Sequence, residues 1–128
     1  MKHLLNALKF ARAHDFNPRM GFNHCAIVVK SNRILSVGFN RYGWSSIQNR
    51  KYSKKICSVH AEVDALLKLA NRDDVKGATI YVVRLNKSKQ SAMSCPCEMC
   101  ETILREHGVK KAVFSINENE NVFGTMKF

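Results

Sequence analysis

Two short segments of the chain carry side chains that are suited to binding one metal ion. They are His60-Ala61-Glu62 and Pro96-Cys97-Glu98-Met99-Cys100. Zinc in proteins takes about four ligands, mostly Cys thiolates and His nitrogens, and a catalytic site leaves one position for water. Cys97 and Cys100 are three residues apart, so on a helix they lie on one face and can share an ion. With His60 as the third ligand, the pattern predicts one Zn²⁺ per chain.

The acidic residue of the first segment indicates what chemistry such a metal site would perform. Glu62 is two residues beyond His60, close enough to reach the open side of the metal without being a ligand. A zinc-bound water has its pKa lowered to roughly 7, so it is a good nucleophile, and a neighbouring carboxylate can carry its protons. We therefore predict Glu62 as the catalytic residue of a hydrolytic zinc site.

Each part of this site has a simpler explanation when it is considered alone. A single histidine at a helix start is often a cap or a surface residue, and a glutamate in the first turn suits the helix dipole. A Cys-x-x-Cys pair in a reducing compartment is compatible with a redox dithiol or with half of a structural zinc site. The three other cysteines, Cys25, Cys57 and Cys95, are interpreted as non-ligands.

The segments that must position the site show helical and extended patterns. Apolar periodicity predicts helices over 2–14, 60–71 and 96–107, with Pro96 in the first turn of the last helix and Gly108 just past its end. Apolar, β-branched runs predict strands over 24–30, 34–40, 78–85, 110–116 and 122–128. The first two strands form a hairpin, and the last two are too close in sequence for a parallel crossover. This order predicts an α/β fold, a three-layer α/β/α sandwich around a mixed five-stranded sheet.

Length and composition limit what kind of protein carries the site. With 128 residues, 45% apolar and 24% charged, the chain is predicted to form a single domain over 1–128. No segment reaches the roughly 20 apolar residues of a membrane span, and the N-terminus lacks the pattern of a secretory signal. Five cysteines, of which three lie within 95–100, do not suit a secreted disulfide framework. We therefore expect a cytoplasmic protein in a reducing, intracellular compartment, with no membrane partner.

Positive charge is concentrated in the first half of the chain. Residues 1–61 contain 11 Lys or Arg and one Asp, a net charge of +10, whereas residues 62–128 contain ten basic and nine acidic residues, a net charge of +1. The carboxylate-free stretch over 16–61 should attract nucleotide phosphate, a polynucleotide or an acidic protein surface. In the loop over 41–57, the candidate phosphate or nucleic-acid contacts are Arg41, Trp44, Arg50, Lys51 and Lys54. The alternative is a solvated loop whose aromatic residues pack in an oligomer interface.

Taken jointly, H-x-E followed by P-C-x-x-C is the signature of zinc-dependent nucleobase deaminases. Over about residues 24–116, the chain resembles the cytidine deaminase superfamily, which includes cytidine, deoxycytidylate, tRNA adenosine and polynucleotide cytosine deaminases. The resemblance implies the same α/β/α sandwich and a Zn²⁺ cofactor. It matches the zinc ligands and the proton shuttle of the family to His60, Cys97, Cys100 and Glu62.

The same resemblance implies how a substrate would be held. It matches the side chain of Asn40 to an asparagine that contacts the ring or sugar, and the backbone N–H of Ala61 to a group that holds the substrate carbonyl. The expected reaction is hydrolytic deamination of a cytosine-type base in a free nucleoside or nucleotide, with release of ammonia. The predicted C-terminal hairpin is similar to that of small nucleoside deaminases and implies a homo-oligomer, either a dimer or a tetramer.

Two other functions remain open on the sequence alone. The surplus of basic and aromatic residues in the loop over 41–57 is compatible with a cytosine or adenine deaminase that acts on single-stranded DNA or RNA. A function of another class is a non-catalytic, zinc-containing module that binds nucleic acid. Glu62 separates the last function from the other two, because a binding module does not need a proton carrier beside its metal.

Overall fold

A mixed β-sheet between two layers of helix makes up the body of the protein. The computed structural model describes residues 1–43, 45, 47 and 58–128. In chain order, the described elements are α1 (Lys2–Ala13), β1 (Asn23–Lys30), β2 (Arg33–Phe39), β3 (Arg41–Tyr42), β4 (Ser58–Val59), α2 (Ala61–Leu67), a 3-10 turn (Arg72–Val75), β5 (Thr79–Leu85), β6 (Ser91–Ala92), α3 (Glu98–Glu106), β7 (Lys111–Ser115) and β8 (Phe123–Lys127). None of the helices in this part of the chain is long and apolar enough to cross a membrane.

The described strands of the main sheet are antiparallel except at one pair. Their order is β2-β1-β5-β7-β8, with the short β6 beside β5, while β3 and β4 pair separately. β5 and β7 run parallel, and α3 lies between them in sequence, which supplies the crossover that a parallel pair needs. The other neighbours are antiparallel, including β7 and β8. The predicted mixed sheet of five principal strands and the predicted C-terminal hairpin are confirmed.

The two faces of the sheet bury separate apolar clusters, because successive side chains of a strand point to opposite faces. In β1, Ile27 and Val29 belong to the cluster that α1 covers with Leu4 and Leu8. Ala26 and Val28 of the same strand belong to the cluster that α2 and α3 cover. The helices therefore form one layer on each side of the sheet, as the predicted three-layer sandwich requires.

A close contact between β2 and α2 determines where the first half of the predicted site lies. A Cβ atom added at Gly38 would clash with the backbone N of Ala65 and with the carbonyl O of Ala61, so a larger residue cannot be accommodated without a shift. Two residues earlier, the hydroxyl of Ser36 donates a hydrogen bond to the carbonyl O of Ala65 at 2.8 Å. The lack of a side chain at Gly38 thus lets α2 lie directly on the strand.

Two predicted helix boundaries are wrong. The helix predicted over 60–71 ends at Leu67, where a 3-10-type hydrogen bond from the N–H of Leu69 to the carbonyl O of Leu66 at 3.3 Å closes the last turn. Asn71, beyond it, is extended and caps the 3-10 turn by accepting a hydrogen bond from the N–H of Asp73. The helix predicted to open at Pro96 begins at Glu98, since Cys97 is extended and forms the cap. The end of that helix is as predicted, with Gly108 in the left-handed region at φ +85°.

Candidate metal centre and substrate cavity

The two halves of the predicted metal site occupy equivalent positions at the starts of two helices. His60 is the N-cap residue of α2 and Cys97 is the N-cap residue of α3, and both are extended, with ψ 152° and 166°. Their carbonyl oxygens accept the first hydrogen bonds of each helix, from the N–H of Asp64 at 2.9 Å and of Glu101 at 2.8 Å. Because α2 and α3 pack on the same face of the sheet, their N-termini bring the two motifs together.

Three candidate ligand atoms meet at this point. The Nδ1 atom of His60 lies 3.3 Å from the Sγ of Cys100 and 3.7 Å from the Sγ of Cys97. The ligand atoms of all three residues lie within 4.8 Å of one another. Cys100 is fully buried among the helices, whereas Cys97 is exposed. The structure therefore assembles the His60, Cys97 and Cys100 set that the sequence predicts.

The spacing of this set fits a tetrahedral zinc ion. Zinc lies about 2.3 Å from a Cys sulfur and about 2.0–2.1 Å from a His nitrogen, so two such ligands at a tetrahedral angle are roughly 3.5 Å apart. The two observed nitrogen-to-sulfur distances, 3.3 and 3.7 Å, lie on either side of this value. One His and two Cys leave the fourth position of a tetrahedral site without a ligand from this set, as in catalytic zinc sites.

The three candidate ligands perturb one another's pKa values through their hydrogen bonds. Hydrogen bonds from Cys100 and then from His60 lower the pKa of the Cys97 thiol to about 4. The same hydrogen bond with Cys97, followed by burial, raises the pKa of Cys100 above its ordinary range. The opposite directions show that the two thiols interact directly, and metal binding at such a pair requires thiolates and therefore releases protons. The hydrogen bond with Cys97 also raises the pKa of His60.

Glu62 lies beside the metal ligands and is nearly buried, with 6% of its surface exposed. Burial raises the pKa of its carboxyl above the ordinary value, while its backbone hydrogen bond and the neighbouring His60 act in the opposite direction. Its side chain also forms a hydrogen bond with Cys100. A carboxyl group in this position can exchange a proton with a molecule bound at the open side of the metal site.

A cavity of about 480 Å³ opens onto the candidate metal centre. Its volume is within the range of small-molecule sites. The predicted site residues among its lining are Asn40, His60, Ala61, Glu62 and Cys97. Further lining residues that the sequence analysis did not identify include Met20, Phe22, His24, Arg84, Met93 and Ser94. Of these, only Arg84 left a signal in the sequence, because it is a charged residue near the end of an otherwise apolar strand.

Asn40 lines the cavity, but its amide group is engaged with the chain itself. Its Oδ1 accepts a hydrogen bond from the N–H of His24 at 2.7 Å, and its Nδ2 donates one to the carbonyl O of Phe22, also at 2.7 Å. Asn40 therefore holds the segment that enters β1 against the end of β2. The predicted contact between this side chain and a substrate stays a prediction.

His24 is a neutral neighbour of the metal ligands. Burial first, and then the positive charge of Arg84, lower the pKa of its imidazole to about 4. The two residues are paired across β1 and β5, and side chains at paired positions of neighbouring strands lie on the same face of the sheet. At neutral pH, Arg84 is therefore the cation of this pair.

Of the five predicted phosphate or nucleic-acid contacts, one lies among the described residues. Arg41 is described, and its Nε donates a hydrogen bond to the Oδ1 of Asp64 at 2.8 Å, outside the lining of the cavity. Trp44, Arg50, Lys51 and Lys54 lie outside the described residues. Asp64 has only 1% of its side chain exposed, and it also pairs with Lys68 at 2.8 Å and accepts a hydrogen bond from the N–H of Phe39. Arg41 thus helps to neutralise a buried carboxylate.

Comparison with known proteins identifies relatives of this arrangement. The profile of the family described as "Cytidine and deoxycytidylate deaminase zinc-binding region" matches residues 1–116. The chain is 30% identical over 106 residues to a deoxycytidylate deaminase of Mycobacterium phage D29, covering 70% of this chain and 74% of that protein. It is 29% identical over 125 residues to a probable deoxycytidylate deaminase of Caenorhabditis elegans, covering 91% of this chain but only 56% of that protein.

Solved structures share the fold. A dCMP deaminase from the cyanophage S-TIM5, in complex with dCMP and dUMP, superposes with a TM-score of 0.60 and 25% identity, covering 88% of this chain and 77% of that one. A cytidine deaminase from Burkholderia pseudomallei superposes with a TM-score of 0.66 and 21% identity, covering 98% and 91% of the two chains. The predicted α/β/α architecture is thus confirmed by proteins whose sequences have diverged widely.

Proposed function

This chain belongs to the cytidine and deoxycytidylate deaminase zinc-binding family, and we propose that it catalyses hydrolytic deamination of a cytosine-type base in a free nucleoside or nucleotide. The observation that carries the proposal is the position of Glu62, which lines the same cavity as the ligands His60 and Cys97. Hydrolysis of this kind replaces the amine of the ring by oxygen from water and releases ammonia. It needs a metal site open to the substrate, with a carboxyl group beside it.

Each residue of the site has a definite task in this reaction. His60, Cys97 and Cys100 hold the zinc ion, which when bound activates water as a nucleophile at neutral pH. Glu62 would accept one proton as water adds to the amine-bearing carbon and give it to the ring nitrogen. It would then take the proton of the added hydroxyl and give it to the amine, which leaves as ammonia while the carbonyl forms. Because its side chain is buried against Cys100, Glu62 works away from bulk solvent.

Two of the cavity-lining residues, Ala61 and Asn40, are the proposed substrate contacts. We assign the carbonyl of the base to the backbone N–H of Ala61 at the start of α2, where N–H groups have no intrahelical partner. Asn40 contributes through the segment of Phe22 and His24 that it anchors, and a direct contact with the ring or sugar would require its amide to exchange a partner.

A deaminase acting on single-stranded DNA or RNA is the second candidate function. The observation that favours it is the net charge of +10 on residues 1–61, since cationic surfaces with aromatic residues bind single strands. The volume of the cavity, about 480 Å³, is in the range of small-molecule sites and favours the free nucleotide instead. We further propose a reducing, cytoplasmic location, where cysteines are available as thiolate ligands, and a homo-oligomeric assembly.

The proposed function is tested by comparing two glutamate variants of the zinc-loaded protein. Glu62→Ala should retain zinc and lose ammonia release by about 100-fold or more, since general acid–base groups contribute that much. Glu98→Ala removes an exposed glutamate between the two cysteine ligands and should change turnover by less than about threefold. Substrates for both are deoxycytidine, cytidine, their monophosphates, adenosine compounds and single-stranded oligonucleotides.

The outcomes distinguish the candidate functions. Turnover of nucleosides or nucleotides that depends on Glu62 supports the proposal, whereas turnover of oligonucleotides alone would replace it by the second candidate. Full activity of Glu62→Ala would show that the proton-carrier assignment is wrong. A protein that binds zinc and oligonucleotides but releases no ammonia from any substrate would be the non-catalytic module.

A further inference from the structure

Arg84 is the one charged residue of β5, a strand whose other residues are mostly apolar and buried. It is the sixth residue of β5, whose neighbours Val83 and Leu85 are buried. Its side chain lines the cavity that also contains His60 and Glu62. A cation placed at the end of a buried strand is costly unless it has a partner, so its position requires an explanation.

The guanidinium of Arg84 has a stacking partner but no acceptor among the described residues. Its Cζ atom lies 4.5 Å from the centroid of the Phe22 ring. Its Nε atom is buried and makes no hydrogen bond within the part of the chain that the structure describes. A cation–π contact does not use the N–H groups of arginine as hydrogen-bond donors, so the planar guanidinium can still bind an oxyanion bidentately.

Backbone contacts fix the positions of Arg84 and of its neighbour Phe22 at the edge of the cavity. Its backbone N–H donates to the Oγ of Ser115 at 3.3 Å, and the Ser115 hydroxyl in turn donates to the carbonyl O of Ala92 at 2.6 Å. On the other side, Phe22 is anchored by the Asn40 amide at 2.7 Å. Strand pairing places Arg84 directly opposite His24 in β1.

The charges of the cavity leave a place for an anion next to Arg84. Among its described lining residues, the one carboxylate is Glu62, which hydrogen-bonds to Cys100 at the metal end. A single arginine can neutralise part of one phosphate group, whereas a polynucleotide needs a row of cations along an open groove. Among the described lining residues, Arg84 is the one Lys or Arg side chain, which suits a phosphate carried on a small ligand.

We propose that Arg84, stacked on Phe22, recognises the phosphate monoester of a nucleotide substrate and makes the cavity selective for nucleotides over nucleosides. This inference rests on the proposed deaminase function, which it deepens by naming the substrate class. Arg84 is a specificity-determining residue, because it binds a group remote from the carbon that reacts. The base then occupies the metal end of the cavity, and the phosphate occupies the Arg84 end.

The test compares Arg84→Gln with Lys87→Gln in the zinc-loaded protein. Both variants remove one positive charge within three residues of each other, but Lys87 is exposed and does not line this cavity. The ratio of kcat/KM for deoxycytidine monophosphate to that for deoxycytidine should fall about 10- to 100-fold in Arg84→Gln, as expected for loss of a charge-assisted hydrogen bond. The ratio in Lys87→Gln should stay within about threefold of the wild-type ratio, because its charge is screened by solvent.

A binding measurement separates this inference from the proposed function. Calorimetric titration with deoxyuridine monophosphate and with deoxyuridine should show a preference for the monophosphate that Arg84→Gln removes and Arg84→Lys partly restores. If Arg84→Gln removes the preference for the monophosphate, but the wild-type protein releases no ammonia from any substrate, the phosphate site is supported and the deaminase function is overturned.

Three results would refute the phosphate site at Arg84. If the wild-type protein deaminates deoxycytidine as efficiently as its monophosphate, the phosphate site is wrong while the deaminase function stands. The same conclusion follows if Arg84→Gln lowers both kcat/KM values equally while it retains its zinc. Activity on oligonucleotides alone, unaffected by Arg84→Gln, would overturn both proposals.

Discussion

The Nδ1 atom of His60 lies 3.3 Å from the Sγ atom of Cys100, although the two residues are 40 positions apart in the chain. This pair connects the N-terminus of α2 with the first turn of α3, and the Sγ of Cys97 completes the set at 3.7 Å. An ion bound here would link the two helices directly. Metal binding and stability should therefore depend on each other.

Removal of a buried ligand should abolish zinc binding, whereas removal of another buried cysteine should not. Cys100→Ala is expected to lower zinc content from one ion per chain to below about one tenth, because two ligands bind zinc far more weakly than three. Cys25→Ala removes an equally buried thiol that lies on the opposite face of the sheet, so it should keep a full zinc ion. Elemental analysis of the purified variants checks both. A Cys100→Ala protein with one zinc per chain would contradict the assigned ligand set.

The contact between β2 and α2 predicts a large effect of one methyl group. Gly38→Ala would insert a Cβ atom into the backbone of α2, and we expect it to lower the free energy of unfolding by about 2 to 3 kcal/mol, as overpacking does. Gly21→Ala is the matched control, since no atom lies within 4 Å of a Cβ at that position, and its effect should stay within about 1 kcal/mol. Urea denaturation of both variants measures the difference, and equal stabilities would refute the close contact.

The buried carboxylate of Asp64 should stabilise the region between β2 and α2. Asp64→Asn loses the ion pairs with Arg41 and Lys68, both at 2.8 Å, and we expect a loss of about 2 kcal/mol because the two basic partners are half-exposed and partly compensated by water. Asp73→Asn removes an exposed acid that is 3.7 Å from Lys76, and it should cost less than about 0.5 kcal/mol. Thermal or chemical unfolding compares the two, and similar losses for both variants would argue against a special role of Asp64.

The contribution of Asp64 should also depend on pH in a defined direction. Burial acts to raise the pKa of its carboxyl, but hydrogen bonds from Lys68, Arg41 and the N–H of Phe39 outweigh it, so the pKa lies below the ordinary value of 3.8. A lowered pKa in the folded state means that the stabilisation is complete above pH 3.8 and is lost as the pH falls through the folded-state pKa. The difference in unfolding free energy between wild type and Asp64→Asn should therefore be constant from pH 5 to 7, on the order of 2 kcal/mol, and shrink below pH 3.8. A difference that grows on acidification would reverse the assigned sign.

Much of the fold follows from local patterns that act over a few residues. The continuous apolar, β-branched runs in β1 and β5 identify strands, because such residues favour an extended backbone that is buried on both faces. The short connection over 116–122 forces β7 and β8 to pair antiparallel, whatever the rest of the chain does. Helix ends were less predictable. The apolar period continues to residue 70, but α2 ends at Leu67 and Asn71 caps a separate 3-10 turn, so periodicity alone does not locate the end of a helix.

The metal ligands were identifiable from the sequence by itself, because zinc requires particular atoms and because His60, Glu62, Cys97 and Cys100 stand in a spacing that few other functions need. Only the tertiary structure placed Arg84 and Phe22 in the same cavity, and only it paired Arg41 with Asp64. The reason is physical. Metal ligation is specified by the chemistry of a few residues, whereas the shape and charge of a cavity depend on which strands lie side by side, a property that the β1–β5 pairing decides.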